Sequence, residues 1–455
     1  MSSTEQQVLE EIAVQQEYGD KFISFPEQDN SEVLEDEQVR ILRQDEDRLD
    51  EMGVSLDVDL EGDIRLESAN TVGAARIGSG REWVGVQIVP KVGNAAFLRM
   101  IEYSSIGFSS GESEIRADTE DAPTVDLVVN YFAEAVRDFL RNRTHRAYEY
   151  SESRDEGRIK GRILVDDYVR ESLPKCKPHV VPHKYVDYTA DNFENQVIAY
   201  SVHLAIQLSK ASSTNLSNKT LDTLQECRRE LAGVSVKRIT SEELRRFRFT
   251  RDNEDFERIF RLCELIISNS NVTLGKRQRV PFFSFDLDMA NVFERYVAAI
   301  FNGIYRDRFI DKTSSLTYPV SSYGKEIELD GLYKDSEKSV VVESKYKVVE
   351  EEEDQEDNLD EDPITVLSGS KVRRNDLYQT VAYTSHQGIQ ADSALLVYPA
   401  WEDSSDVAKV YKEVSSFGWK KASENGTPIY PVTISLSEPA DRVVKKLGKK
   451  LEEIV

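Results

Sequence analysis

The chain has 455 residues, enough for two or three domains, each with its own core. It carries 83 Asp and Glu against 58 Lys and Arg, a formal net charge of -25, which excludes a surface that is basic throughout. A nucleic-acid partner then requires positive charge gathered locally. Three cysteines, Cys176, Cys227 and Cys263, are too few for a disulfide framework in a chain of this length. An acidic surface is also what a salt-rich cytoplasm favours, because screening shortens the range of repulsion.

In chain order, residues 1–50 are polar and charged and read as an acidic extension, with a helix over 31–52. The first twenty residues lack the basic and apolar regions of a signal peptide. No run approaches the length of a membrane span, so a soluble cytoplasmic protein is expected. From Gly53 the texture changes to short alternating runs broken by Gly and Asp (VSLDVDLEG, DIRLESA, AARIGSG, WVGVQIVPKVG), and a β-rich domain is expected over 51–115. The glycines of VGAARIGSGREWVG are not followed by Gly-Lys-Ser/Thr, so this is not a P-loop and the chain is not expected to hydrolyse nucleotide.

A mainly helical middle domain is expected over 116–275. Val125, Leu127, Val128, Tyr131, Phe132, Ala135, Val136 and Leu140 recur at helical spacing after Pro123. GRIKGRILVDDYVR reads as a basic strand whose Arg158, Lys160 and Arg162 suit backbone phosphates or simply solvent. Pro174, Pro178 and Pro182 exclude a helix there. Thr189 or Asp191 can cap the helix that runs to Ala211, and two more helices follow near 217–232 and 250–268. Cys176, His179 and His183 have zinc-like spacing but no convincing fourth ligand nearby.

The third region, 276–455, reads as helix (285–301), three strands (316–320, 326–333, 339–346), a mobile acidic loop (350–363), helix (375–387) and strand (393–399). That order describes one α/β layer structure, so the whole chain is expected to be α/β and multidomain. Within EIELDGLYKDSEKSVVVESKYK, a turn centred on Ser336–Glu337 sets Asp330 opposite Glu343, with side chains about 5 Å apart. Lys345 projects from the same face as Glu343. Opposed carboxylates repel unless neutralised, and hard oxygen donors with room for water suit Mg²⁺ better than Zn²⁺. Such an ion polarises a phosphate oxygen and acidifies water. Gln379 and Tyr383 share one helix face four residues apart and can bond a phosphate. Lys371, Arg373 and Arg374 precede them and add local positive charge.

Asp330, then Glu343-Ser-Lys345, then a Q-x-x-x-Y helix resembles the PD-(D/E)xK nuclease superfamily, in its RecB-type branch. The longer texture (FSFDLDMANVFERYV, VVVESKYK, RNDLYQTVAY, LLVYP, with FLRMIEYSS and NFENQVIAYSVHLA upstream) resembles the McrC subunit of methylcytosine-dependent McrBC restriction systems, from about residue 53 to 400. The resemblance implies metal ligands at Asp330 and Glu343, a catalytic Lys345, and Gln379 and Tyr383 as the helix motif. It also implies that Glu294 completes the metal shell. Many relatives have Pro before the Asp, where this chain has Leu329. The function implied is Mg²⁺-dependent cleavage of methylated or otherwise modified DNA, gated by a separate AAA+ GTPase motor resembling McrB. The β-rich region would dock on that motor and stimulate it. A stand-alone RecB-type repair nuclease and a non-catalytic activator of the motor remain as alternatives.

Overall fold

The computed structural model describes residues 22–26, 31–58, 62–79, 82–106, 123–142, 146–154, 158–211, 214–249, 256–274, 281–311, 317–320, 325–335, 338–347, 364–367, 370–384, 386, 389, 391–400, 407–410 and 427–452. The fold is mixed α/β and its described residues divide into two compact units, one within 125–285 and the other within 20–124 together with 286–455. The contacts thus group the N-terminal β region with the C-terminal α/β region, where the sequence suggested a boundary at each end of 51–115. The acidic loop expected at 350–363 lies outside the described residues.

The unit of residues 125–285 is mainly helical, as its 3.6-residue periodicity implies. Its long helices are Thr124–Asn142, Phe193–Ala211, Asn215–Glu230 and Glu257–Asn269. Neither Thr189 nor Asp191 caps the second of these. The Asn192 side chain accepts the Asn195 N–H at 3.0 Å, and Asp191 instead accepts from Ser235 N–H (2.9 Å) and Ser235 Oγ (2.6 Å). A short helix, Ser241–Arg246, carries a Thr240/Glu243 capping box. The expected strand over GRIKGRILVDDYVR shrinks to Arg162–Ile163. A helical turn follows, because the chain folds back at Gly161, whose φ is +69°. Strands Ala147–Ser153, His183–Thr189 and Arg162–Ile163 form an antiparallel sheet. One of its faces leaves Tyr148, Tyr150, Val186 and Tyr188 exposed.

In the other unit, residues 22–26 and 31–52 are no loose extension. Strand Phe22–Pro26 pairs parallel with Glu82–Val89, which pairs antiparallel with Thr71–Ser79. The expected helix over 31–52 is two short ones, Asp36–Arg43 and Glu46–Glu51, interrupted at Gln44–Asp45. Ile41, Leu42, Leu49 and Met52 enter one core with Val54, Leu66, Ile77, Val84 and Val86. Helix Gly93–Ile106 joins this region to the C-terminal part. Tyr103 meets Tyr296 edge to face at 5.9 Å, and the Arg99 guanidinium donates to the Leu436 carbonyl at 3.0 Å. Gly303 permits the close approach: a Cβ there would lie 3.1 Å from the Tyr103 hydroxyl and 3.2 Å from Val444.

The C-terminal part is a six-stranded sheet in the order Phe309–Asp311, Gly331–Lys334, Ser339–Ser344, Ser393–Ala400, Ile429–Ser435, Ala408–Val410. The three central strands are parallel and read as unbroken apolar runs, as strands buried on both faces do. Helix Arg374–Thr384 is the crossover between the first two and covers one face through Leu377 and Tyr383. Helix Met289–Tyr305 contacts the other face, with Phe293 against Tyr346 and Phe301 against Phe309, and helix Ala440–Leu451 packs beside it. The helix expected from Phe285 starts only at Met289, because Pro281–Asp288 is a strand. Asp288 caps the helix by accepting from Ala290 N–H at 2.8 Å. Leu329 is fully buried in the core under helix Arg374–Thr384, so an apolar side chain suits the position before Asp330.

Candidate active site

Strand Ser339–Ser344 alternates its side chains between two faces. Val341 lies in the core under helix Arg374–Thr384, so Glu343, two residues on, points to the same side. The Lys345 N–H donates to the Val397 carbonyl at 2.8 Å, which extends the parallel ladder one residue further. The observed pairing of Gly331 with Val342 is the register that sets Asp330 beside Glu343. The chain bends at Leu329–Asp330: Lys325–Glu328 pairs with Thr317–Val320, and Gly331–Lys334 turns to pair with Ser339–Ser344. A side chain at Gly331 would collide with the Phe309 ring, so glycine is required beside Asp330.

Three of the expected residues therefore converge at the C-terminal end of a central parallel strand. That is the end where open α/β sheets bind ligands. Asp330 Oδ2 accepts from the Ser344 N–H at 2.9 Å and from Ser344 Oγ at 2.8 Å, so the residue between Glu343 and Lys345 orients Asp330. Lys345 Nζ donates to Glu343 Oε1 at 2.7 Å. Glu343 is only 2% exposed, and among the described residues its Oε2 has no hydrogen-bond partner. Burial, and next the negative charge of Asp330, push the Glu343 carboxyl up to about 7, against the pull of Lys345. Glu294 adds to the upward push, so its charge is felt at the site. Burial alone would lower the Lys345 ammonium, but the Glu343 and Asp330 carboxylates outweigh it and raise its pKa.

Gln379 and Tyr383 lie on the covering helix and bond each other, Nε2 to hydroxyl, at 2.6 Å. Neither hydrogen-bonds Asp330, Glu343 or Lys345. Sequence reasoning missed a second set beside them. Asp376, 3% exposed in the first turn of that helix, accepts from Lys347 Nζ at 2.8 Å and from the Tyr398 hydroxyl at 3.1 Å. This carboxylate ties the covering helix to the segment after Lys345 and to the next strand. The available signal was the i, i+2, i+4 spacing of Glu343, Lys345 and Lys347.

A buried carboxylate with an unpartnered oxygen, held against a second carboxylate, suits a hard divalent cation. Among the described residues no three His, Cys, Asp or Glu form a ready metal cluster. Glu294 with Asp330 and Glu343, and Cys176 with His179 and His183, are therefore not preformed three-residue clusters. His183 is buried with its Nδ1 2.8 Å from the Val181 carbonyl, while Cys176 is exposed.

The family description "McrBC 5-methylcytosine restriction system component" matches residues 66–399, which include all of these site residues. The chain belongs to the McrBC family. The McrBC-like fold extends beyond that match. A chain in the refined half-complex from a tetradecameric assembly of Thermococcus gammatolerans McrB AAA+ hexamers with bound McrC aligns with 95% of this chain and 100% of its own length, at 17% identity and a TM-score of 0.50. A chain in the cryo-EM structure of the T. gammatolerans McrBC complex aligns with 62% of this chain and 87% of its own, at 19% identity and a TM-score of 0.38. No curated protein matches the chain. Among the described residues no helix is long and apolar enough to cross a membrane.

Proposed function

We propose that this McrBC-family chain is the DNA-cleaving subunit of a modification-dependent restriction complex, with Asp330, Glu343 and Lys345 at its centre and Mg²⁺ as cofactor. The observation that carries the reading is Glu343: a buried carboxylate with one oxygen on Lys345 and the other without a partner, beside Asp330. Two like charges held together at a strand end cost stability unless a cation is meant to join them. Bound Mg²⁺ would supply charge neutralisation and phosphate polarisation, as in other metal-dependent phosphodiester hydrolysis.

The residues around it divide the remaining work. Asp330 and Glu343 would hold the ion, and Ser344 orients Asp330 through two hydrogen bonds. The Lys345 ammonium lies beside the carboxylates, where it can stabilise negative charge growing on the phosphate as water attacks. Gln379 and Tyr383 offer an amide and a hydroxyl from the covering helix for a flanking phosphate. Glu294 contributes field rather than a preformed ligand.

The related complex whose description names McrB AAA+ hexamers with bound McrC supports a motor partner for this chain too. The exposed aromatic and apolar face of Tyr148, Tyr150, Val186 and Tyr188 in the helical unit is a surface such a partner would cover. The region of 51–115, which the sequence suggested for docking, already places helix Gly93–Ile106 against the C-terminal sheet domain.

The test is cleavage of methylated DNA by the chain with its AAA+ partner, GTP and Mg²⁺. Asp330→Ala and Lys345→Ala should each reduce cutting by at least ~100-fold while GTP turnover persists. Wild-type rates in both variants would show the site to be misassigned. Cutting by the chain alone would favour the stand-alone repair nuclease, and motor stimulation without cutting would favour the non-catalytic activator.

A further inference from the structure

A chain of net charge -25 that acts on DNA needs a local positive surface, and the last helix carries one. Helix Ala440–Leu451 buries Ala440, Val443, Leu447 and Leu451 on its inner stripe. Its outer side exposes Arg442, Lys445, Lys446 and Lys449, while Lys450 Nζ is engaged on the Ala408 carbonyl at 2.6 Å. Asp441 is the helix's one acidic residue.

Elsewhere this protein neutralises helical arginines with an acid one turn away: Arg40 with Glu37, Arg48 with Asp45, Arg137 with Glu134, Arg246 with Glu242 and Arg261 with Glu257. Arg442 follows that habit with Glu438. Lys445, Lys446 and Lys449 do not; among the described residues none of them has an ion-pair partner. Arg442/Lys446 and Lys445/Lys449 are like-charged pairs at i, i+4, an arrangement that destabilises a helix. The helix dipole favours a cation in the last turn, which accounts for Lys449 but not for Lys445 and Lys446 in mid-helix.

Placement adds the second half of the case. The helix follows strand Ile429–Ser435, which runs parallel to Ser393–Ala400 and through it to Ser339–Ser344. Its first turn therefore lies at the same sheet end as Glu343 and Lys345, two strands away, or about 10 Å. From there the lysines run along a helix rising about 1.5 Å per residue. We infer that Lys445, Lys446 and Lys449 form a track for the phosphate backbone of duplex DNA entering the site. The inference rests on the reading of this domain as acting on DNA, but it concerns binding and is tested without cleavage.

The probe is a fluorescein-labelled 30-base-pair duplex, titrated with the full-length chain by anisotropy across a range of KCl. The variant is K445Q/K446Q/K449Q. A control with the same change of net charge, R141Q/K210Q/K219Q, alters exposed positions in the helical unit. The track predicts that the lysine variant binds about 10–100-fold more weakly at ~0.1 M salt and that its log K against log salt slope flattens by about 2–3. The control should keep the wild-type slope, and all three proteins should melt within a few degrees of each other. Equal binding by variant and control, an unchanged slope, or no binding of the duplex by wild type would each overturn the inference. The nuclease reading is judged separately, by cleavage in wild type against Asp330→Ala.

Discussion

Glu343 holds its proton at the pH where ordinary carboxylates have lost theirs, and this has a sign that can be worked out. Its carboxyl is raised from the ordinary 4.5 to about 7, by burial first and by Asp330 second. Below pH 4.5 folded and unfolded chains both carry the proton, so Glu343 contributes no pH dependence. Between 4.5 and 7 the unfolded chain has lost it and the folded chain keeps it, so stability falls as pH rises through this window. Above 7 the full cost of a buried, repelled carboxylate remains. Glu343→Gln should therefore stabilise the metal-free protein at pH 8, by about 1–3 kcal/mol, and leave it unchanged near pH 4. Mg²⁺ should raise the melting temperature of wild type and not of this variant. Denaturation at the two pH values checks the first claim; a variant no more stable than wild type at pH 8 would remove the electrostatic argument for a cation here.

At the scale of elements, the site depends on how the covering helix is pinned to the sheet. Asp376 joins helix Arg374–Thr384 to Lys347 and to Tyr398 on the neighbouring strand. Asp376→Asn keeps the volume and removes the charge. Lys347 is 36% exposed and can rehydrate, which discounts the loss to about 1–2 kcal/mol. A double-mutant cycle with Lys347→Met measures the coupling, and additive effects would show that the pair contributes nothing beyond its surroundings. The expected strand at 326–333 gives way for a related reason. It breaks at Leu329–Asp330 because its two halves pair with different partners, and local pattern carries no record of partner choice. That break is what releases the Asp330 carboxylate to reach Ser344.

For the whole molecule, the excess of acid is a property that any buffer change reaches. At net charge -25 the native state repels itself, and salt screens that repulsion. The melting temperature should climb between low and molar KCl. Full stability at low salt would count against an origin in a salt-rich cytoplasm. Residues of 20–124 and 286–455 belong to one unit. Helix Gly93–Ile106 touches, through Tyr103 and Tyr296, the same helix that bears Phe293 and Glu294. A disturbance of the N-terminal β region would thereby reach the helix that bears Glu294, whose charge helps raise the Glu343 carboxyl.

Much of the site was legible because hairpin geometry is local. Turn position alone placed Asp330 opposite Glu343, and the two-residue strand period put Lys345 on the same face; both follow from covalent geometry over some fifteen residues. The helices of the middle region were legible for the same reason, through their 3.6-residue spacing. Sequence could not supply what depends on groups distant along the chain. It missed the burial of Glu343, Asp376 as a link between helix and strands, and the absorption of residues 22–26 and 31–52 into the β core. It also missed helix Ala440–Leu451, which exposes Lys445, Lys446 and Lys449 after the last parallel strand. Desolvation and long-range pairing belong to the assembled molecule, so the juxtaposition of the trio beginning at Asp330 could be drawn from sequence, while its charge state and surroundings were set only by the tertiary fold.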